Sequence, residues 1–286
     1  MLLSTYQNAQ AFLLKVQSTL EKQEACNSLM LGICFRLCNF PERTTTPPYL
    51  VTVEDEHQLL FAACMTPPYN LVLAFIAVDD HAAVELVVRQ LLKDQLRVPG
   101  VLGPAPTAEA FAQIWEKLTG KPYREGVRQR VFELCQVIPP SPVPGALRLA
   151  TGEDLELVTR WTAAFAQEAL HEEEPVRAHQ EARRRIGDRE IYLWELPDRQ
   201  VVTMAAKTRP ISNGISVSLV YTPPENRERG YASNCVAALS QLLLASGWKW
   251  CSLFTDLSNP TSNSIYQKIG YRPVCDFNEY LFHDVS

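Results

Sequence analysis

The sequence predicts an α/β (α+β) fold built twice in tandem, each copy a mixed central sheet flanked by helices. Three observations carry this expectation. The chain has 286 residues, about twice the commonest domain size. Near its middle, Ile138 to Gly145 reads IPPSPVPG, with four prolines in eight residues. Fixed φ and missing amides exclude both helix interior and central strand there, so the segment reads as a stiff, extended connector. Finally, the two flanking halves share one order of elements, three strands, a helix, a strand, a helix and a strand, as an internal duplication would produce. The expected division is 1–137, linker 138–145 and 146–286.

In the first half, apolar spacing predicts a helix over Gln7–Gln23. Leu29–Arg36, Leu50–Val53, Leu59–Met65 and Leu71–Val78 are apolar runs short enough for strands. A helix over Ala82–Leu96, a buried strand in the VPGVLG run, a helix over Thr107–Leu118 and a strand over Val127–Val137 follow. After the linker, Leu147–Ala150 reads as a strand. Thr151, with Glu153 and Asp154 behind it, starts a helix to about Leu170, because acids in a first turn favour the positive end of the helix dipole. Val176–Ile186 is a polar helix. Strands are expected over Ile191–Glu195, Val201–Lys207 and Ile215–Tyr221. Ala232–Ser246 places Cys235, Val236, Leu239, Leu242 and Leu243 on one helical face and ends at Gly247. Trp250–Thr255 is a strand, Thr261–Ile269 a helix stopped by Gly270, and Val274–Phe282 the last strand. Locally, Ile114, Trp115, Glu116, Lys117, Leu118, Thr119 and Gly120 align with Ile265, Tyr266, Gln267, Lys268, Ile269 and Gly270, which supports the duplication.

Composition narrows the function classes. With 47% hydrophobic and 21% charged residues, wholesale disorder, collagen and coiled coil are excluded. The 27 basic and 32 acidic residues give a net charge of −5 with no basic block, which argues against a nucleic-acid partner. No apolar run approaches the ~20 residues of a membrane span, and the N-terminus lacks the pattern of a signal peptide, so a cytoplasmic location is expected. Eight cysteines are scattered without a CxxC pair, and the five histidines form no HExxH-like pattern. The thiols read as small buried hydrophobes, and no metal is expected.

The segment that carries chemistry is Tyr221–Ser233, YTPPENRERGYAS, joining an apolar strand to an amphipathic helix. Small residues at Gly230 and Ala232 let unpaired amides at the helix start approach a ligand, and with the helix dipole they form an anion site. Arg227 and Arg229 add charge, while Pro223 and Pro224 stiffen the loop. Together these features point to a diphosphate. The alternative is that Gly230 merely relieves crowding in a turn and the arginines are solvated.

Arg227, Gly230 and Ala232 resemble the acetyl-CoA signature of the GNAT N-acetyltransferase family, Arg or Gln, two variable residues, Gly, one variable residue, then Gly or Ala. Downstream, Asn259 to Tyr271, NPTSNSIYQKIGY, is similar to that family's Asn-to-Tyr helix followed by Gly and an aromatic residue. The resemblance covers about Leu147–Phe282 and implies two GNAT-like acyl-CoA N-acyltransferase folds in tandem. It also implies acetyl-CoA as cosubstrate. The backbone of Val220, Tyr221 and Thr222 would pair with the pantetheine arm, and Arg227, Glu228, Arg229, Gly230, Tyr231, Ala232 and Ser233 would cradle the pyrophosphate. Asn259 and Ser262 would contribute to cofactor binding, Asn259 serving equally as a helix cap. By resemblance Tyr266 would be the general acid, its alternative role being a core aromatic. Direct transfer to a primary amine of a small molecule or peptide is the expected reaction. A non-catalytic acyl-CoA-binding or regulatory module is the alternative, and the sequence leaves room for a homodimer.

Candidate bases are Glu168, Glu172, Glu173, Glu174 and Asp256. The HEEE run reads first as a solvated acidic turn and second as a rim attracting a cationic amine. In the first half the corresponding junction is Ala77–Ala83, AVDDHAA. It lacks RxxGxG/A, places Asp79 and Asp80 where a pyrophosphate would sit, and has Trp115 in the position of Tyr266. This half is therefore expected to be a degenerate copy that does not bind CoA.

Overall fold

The computed structural model describes residues 1–76, 80–170 and 175–282. The first half runs β1 (Leu2–Thr5), α1 (Ala9–Leu20), α2 (Ser28–Asn39), β2 (Tyr49–Asp55), β3 (Gln58–Met65), β4 (Leu71–Leu73), α3 (His81–Lys93), β5 (Gly100–Pro104), α4 (Ala105–Thr119) and β6 (Tyr123–Leu134). The second runs β7 (Ala146–Leu149), α5 (Leu155–Phe165), α6 (Pro175–Gly187), β8 (Ile191–Glu195), β9 (Val201–Thr208), β10 (Gly214–Tyr221), α7 (Tyr231–Ala245), β11 (Trp250–Asp256), α8 (Pro260–Lys268) and β12 (Arg272–Phe282). Strands and α-helices succeed one another in the same order in both halves.

Three expectations need correction. Leu29–Arg36 is part of helix α2, not a strand. Its buried residues Met30, Leu31, Cys34 and Leu37 follow the 3.6-residue period, but a short run apolar almost throughout carries no polar positions to reveal that phase. The strand expected over Leu71–Val78 ends at Leu73; Ala77, Val78 and Asp79 lie outside the described residues. The helix expected from Thr151 to Leu170 is divided. A 3₁₀ turn over Gly152–Asp154, closed by a reciprocal Thr151–Asp154 capping box, leads into α5, and a π-helical turn over Ala166–Leu170 follows. Strand β1 carried no separate sequence signal.

One twelve-stranded sheet crosses the whole molecule in the order β1-β2-β3-β4-β5-β12-β6-β11-β10-β9-β8-β7. The halves exchange their last strands. β12 pairs with β5 from Phe277↔Pro104 to Leu281↔Gly100, and β6 pairs with β11 from Cys251↔Leu134 to Asp256↔Gln129. β6 and β12 pair with each other at the centre, antiparallel. The linker thus divides the covalent chain, while the hydrogen-bonded sheet runs through the division.

Helices α3, α4, α7 and α8 cover one face through Val84, Val87, Phe111, Val236 and Leu239. Helices α1, α2, α5 and α6 cover the other through Phe12, Leu31, Val158 and Ala182. On that second face the β9–β10 turn docks on the first half. Glu24 accepts from the Asn213 amide and Nδ2, both at 2.9 Å, Ser212 bonds Glu21, and Ile211 enters the core formed by α1 and α2. The linker is pinned to the second half, where Trp194 Nε1 donates to Pro144 O at 2.9 Å and Asn234 Nδ2 to Ser141 O at 3.0 Å.

Candidate active site

Strands β10 and β11 form a parallel ladder for three residue pairs, Gly214↔Trp250, Ile215↔Cys251 and Ser216↔Ser252. Beyond Ser216 and Ser252 both strands continue without pairing to each other, so they open a splay at their carboxyl ends, where open α/β sheets characteristically bind ligands. A bulge interrupts β10 on its other edge. The register with β9 shifts between Ser218 and Tyr221, and Leu219 takes a left-handed φ of 51°, a strained conformation for a branched residue. The shift puts Leu219 and Tyr221 on the α5/α6 face and Val220 on the α7 face. Thr203 Oγ1 secures the strand end, donating to Tyr221 O at 2.8 Å and lying 2.8 Å from Thr222 Oγ1.

From this edge the chain enters α7 through Pro223, Pro224 and a 3₁₀ turn over Pro224–Asn226. Gly230 is the N-cap of α7 with φ 78° and no side chain to cap the first amides. Those of Tyr231, Ala232 and Ser233 precede the first intrahelical bond, Asn234 N to Gly230 O at 3.1 Å. The equivalent junction in the first half is closed. Asp80 Oδ1 accepts from the amides of Ala82 and Ala83, each at 3.0 Å. Duplicated helices thus begin in opposite ways, α3 neutralised by its own carboxylate and α7 left as an open cluster of donors at the positive end of the dipole.

The flanking residues are placed as follows. Glu228 and Arg229 are exposed, and Glu228 has φ 63°. Arg227 Nε donates to Thr222 O at 2.9 Å, and its Nη2 meets Glu168 Oε2 at 2.7 Å. Glu168 stands on the π-helical turn, and Tyr221 Oη donates to its other oxygen at 3.5 Å. Burial, then Glu168, raises the Tyr221 phenol. The carbonyls of Tyr221 and Thr222 each accept a side-chain bond, from Thr203 and Arg227, and Val220 falls in the bulge, outside the paired register with β9.

On the other side, Asn259 caps α8 by accepting from the Ser262 amide at 3.0 Å, so its capping role is realised. Asp256 accepts from the Ser258 amide at 2.7 Å and closes a turn. Glu172, Glu173 and Glu174 lie outside the described residues. Tyr266 is buried in the core beneath α7 and packs edge-on against Tyr271, with ring centroids 6.0 Å apart. Burial, with Cys235 close by, pushes its phenol up to about 12. Trp115, its counterpart on α4, is buried with Nε1 unpartnered and has no phenol. Asn263 was not among the expected site residues, yet it ties the site together. Its Oδ1 accepts from Thr255 Oγ1 at 3.2 Å, and its Nδ2 donates to Asp256 O and Asn259 O, which fastens the end of β11 to the helix carrying Tyr266.

Comparisons with known proteins identify the fold that carries this geometry. A family described as FR47-like protein matches residues 198–281, a span that holds the splay, α7 and α8. No curated protein matches the chain by sequence. Among solved structures, a tandem GNAT protein from the clavulanic acid biosynthesis pathway superposes over 100% of both chains, with TM-score 0.56 and 12% identity. This chain has the tandem GNAT fold. A GCN5-related N-acetyltransferase from Sphaerobacter thermophilus shares that GNAT fold over 97% of this chain and 94% of its own, with TM-score 0.62 and 14% identity. A Drosophila protein does so over 99% of both, with TM-score 0.69 and 11% identity. Within the GNAT fold of this chain, the described residues include no group of three or more His, Cys, Asp or Glu placed to hold a metal ion. None of its described helices is long and apolar enough to cross a membrane.

Proposed function

We propose that the second half is an acetyltransferase domain that passes the acetyl group of acetyl-CoA directly to a primary amine, and that the first half is a degenerate copy without a CoA site. The single observation that carries this reading is the contrast between Gly230 and Asp80. The same duplicated junction is open to a phosphate at α7 and filled by a carboxylate at α3. The amides of Tyr231, Ala232 and Ser233 would hold the pyrophosphate, with Arg227 turning from Glu168 to add charge. Asn259 and Ser262 would flank the pantetheine arm on the α8 side.

The thioester supplies an activated acyl carbon and a stable leaving thiolate. A main-chain N–H near Val220, free of the ladder to β11, would hold the developing oxyanion. As the amine nitrogen bonds to the acyl carbon and the C–S bond breaks, Tyr266 would give its phenolic proton to the departing sulfur, and the proton shed by the new amide nitrogen would pass through solvent to restore the phenol. Burial keeps that phenol protonated at neutral pH, as an acid must be. An amine with the ordinary lysine value of about 10.4 must lose a proton before attack. Asp256 is engaged in its turn and is not assigned that role, whereas Glu168, paired with Arg227 in this structure, would be released when Arg227 turns to the pyrophosphate and would then be available as the base.

Calorimetric titration of the full chain with acetyl-CoA, followed by thiol release in the presence of a panel of amines, tests the proposal. One site per chain with amine-dependent release is expected. Absence of binding refutes the reading, and binding without release for any amine leaves a non-catalytic acyl-CoA-binding module.

A further inference from the structure

On the sheet face covered by α1, α2, α5 and α6, Arg209 follows the last residue of β9 and carries its side chain between the two halves. Its Nε is closed off from solvent and has no hydrogen-bond partner. The guanidinium carbon lies over the Phe254 ring, 5.6 Å from the centroid, within cation–π range. Among the described residues no acid pairs with it. Burial, then Arg185, then Arg36 all act in one direction, lowering its pKa to about 10. Arg185 is neutralised by Glu181 at 2.7 Å and Glu190 at 3.3 Å. Arg36, exposed on α2, has no ion pair among the described residues. Arg209 is thus half-buried, its Nε withdrawn from water and with no counter-charge among the described residues, and the exposed Arg36 stands on the helix that packs against it; a charge partly desolvated in this way costs stability unless something neutralises it.

The surroundings are built to hold Arg209 in this place. Its φ is 47°, and the turn after it is clamped by Glu24, Glu21 and Ile211 of the β9–β10 docking described above. Helix α2 passes close at Gly32, where a Cβ would stand 2.7 Å from Arg209 Cβ, so only glycine permits the approach. Gly32 and Arg36 are one turn apart and share a face of α2. Beneath the guanidinium, Phe254 lies two residues beyond Ser252, the last rung of the β10–β11 ladder, and so borders the splay. Ser218, on the same face of β10, has a buried Oγ without a partner.

We propose that Arg209 and Arg36 form an anion subsite for the acceptor, taking a carboxylate or phosphate group of the molecule whose amine is acetylated. A planar guanidinium offers such a group two parallel N–H bonds. Assignment of the anion to the acceptor rests on the acetyl-transfer reading above, whereas the subsite itself does not. It also gives the first half a task, since the residues that fix Arg209 belong largely to that half.

The test titrates the full chain with inorganic phosphate and, separately, with succinate at constant ionic strength, for the wild type, Arg209→Met and Arg36→Ala. Acetyl-CoA is titrated in parallel, so failure of the cofactor site is read from a different ligand. Saturable binding of at least one anion is expected, weakened at least tenfold in Arg209→Met and measurably in Arg36→Ala, with acetyl-CoA affinity unchanged. The tighter anion identifies the group recognised. Arg209→Met should also melt about 2–4 °C higher than wild type without anion, because it removes an uncompensated, partly desolvated charge. In the transfer assay, an amine bearing the preferred anion should show a lower KM than its uncharged amide or ester, and Arg209→Met should abolish that preference. Binding of neither anion, or equal binding by wild type and Arg209→Met, overturns the proposal.

Discussion

Replacing Gly230 with aspartate should bring a carboxylate to the start of α7 as Asp80 does at α3, from a left-handed N-cap where Asp80 is extended. Two effects can be separated. The left-handed φ of 78° costs a non-glycine residue about 1–2 kcal/mol. The new Cβ would lie 3.2 Å from Val143 Cγ1, which the side chain can accommodate by a small shift. Melting should therefore fall by about 2–6 °C. The second effect is on binding. In α3, one carboxylate oxygen of Asp80 takes two amides at 3.0 Å. If the carboxylate introduced by Gly230→Asp does the same, two charge-assisted bonds to the pyrophosphate are lost, at about 1.5–3 kcal/mol each. Acetyl-CoA affinity should then drop by about 10²–10⁴-fold, and like-charge repulsion acts in the same direction. Gly230→Ala has the same backbone strain without the carboxylate and serves as the reference. Calorimetry with acetyl-CoA on all three proteins, with thermal melts, reads both effects. An aspartate variant that melts with the alanine variant and binds acetyl-CoA within threefold of it refutes the assignment of the α7 N-terminus as the phosphate site.

Tyr266→Phe should lower kcat by about 10–100-fold, the modest end for a lost general acid because the thiolate leaves readily, while calorimetry finds acetyl-CoA affinity unchanged; a kcat within twofold of wild type removes Tyr266 from the mechanism. With the Tyr266 phenol pushed up to about 12, the acid stays protonated through the working range, so kcat should show no descending limb from it below about pH 10. A limb near pH 8 would assign the acid elsewhere. Glu181 lies between Arg184 at 2.9 Å and Arg185 at 2.7 Å. Burial acts to raise its pKa, but the two arginines outweigh it and bring the carboxyl from 4.5 to about 2. A native pKa below the unfolded one gives stability that is complete above about pH 4.5 and fades as pH falls toward 2. Glu181→Gln should accordingly cost about 0.5–1 kcal/mol near neutrality, discounted for its partial exposure, and the difference should vanish by about pH 2 in urea melts.

Much of the second half was legible because its signals are local. Ile191–Glu195 was expected residue for residue, and β10, α7, β11 and α8 fell within one or two positions of their bounds. There period, caps and glycines act over a few residues. The loop from Pro223 to Gly230 was readable for the same reason, since a strand, a stiff turn and an uncapped helix start are adjacent in the chain. The misreading of α2 has the complementary cause. Its run of Leu29, Met30, Leu31, Gly32, Ile33 and Cys34 is buried from more than one side, partly under the other half, so no local polar phase declares it a helix.

Residue type and short spacing were enough to reveal the duplication, the open helix start at Gly230, its carboxylate-bearing counterpart at Asp80 and the aromatic residue Tyr266 on the last helix. Folding in three dimensions was needed for the exchange of β6 and β12, the diversion of Arg227 to Glu168, and the convergence of Arg36, Arg209 and Phe254. These are relations between residues up to more than two hundred positions apart, set by which sheet edges pair and which faces bury. A guanidinium's need for a partner is written in its chemistry, but whether it finds one is decided only when the chain has closed around it.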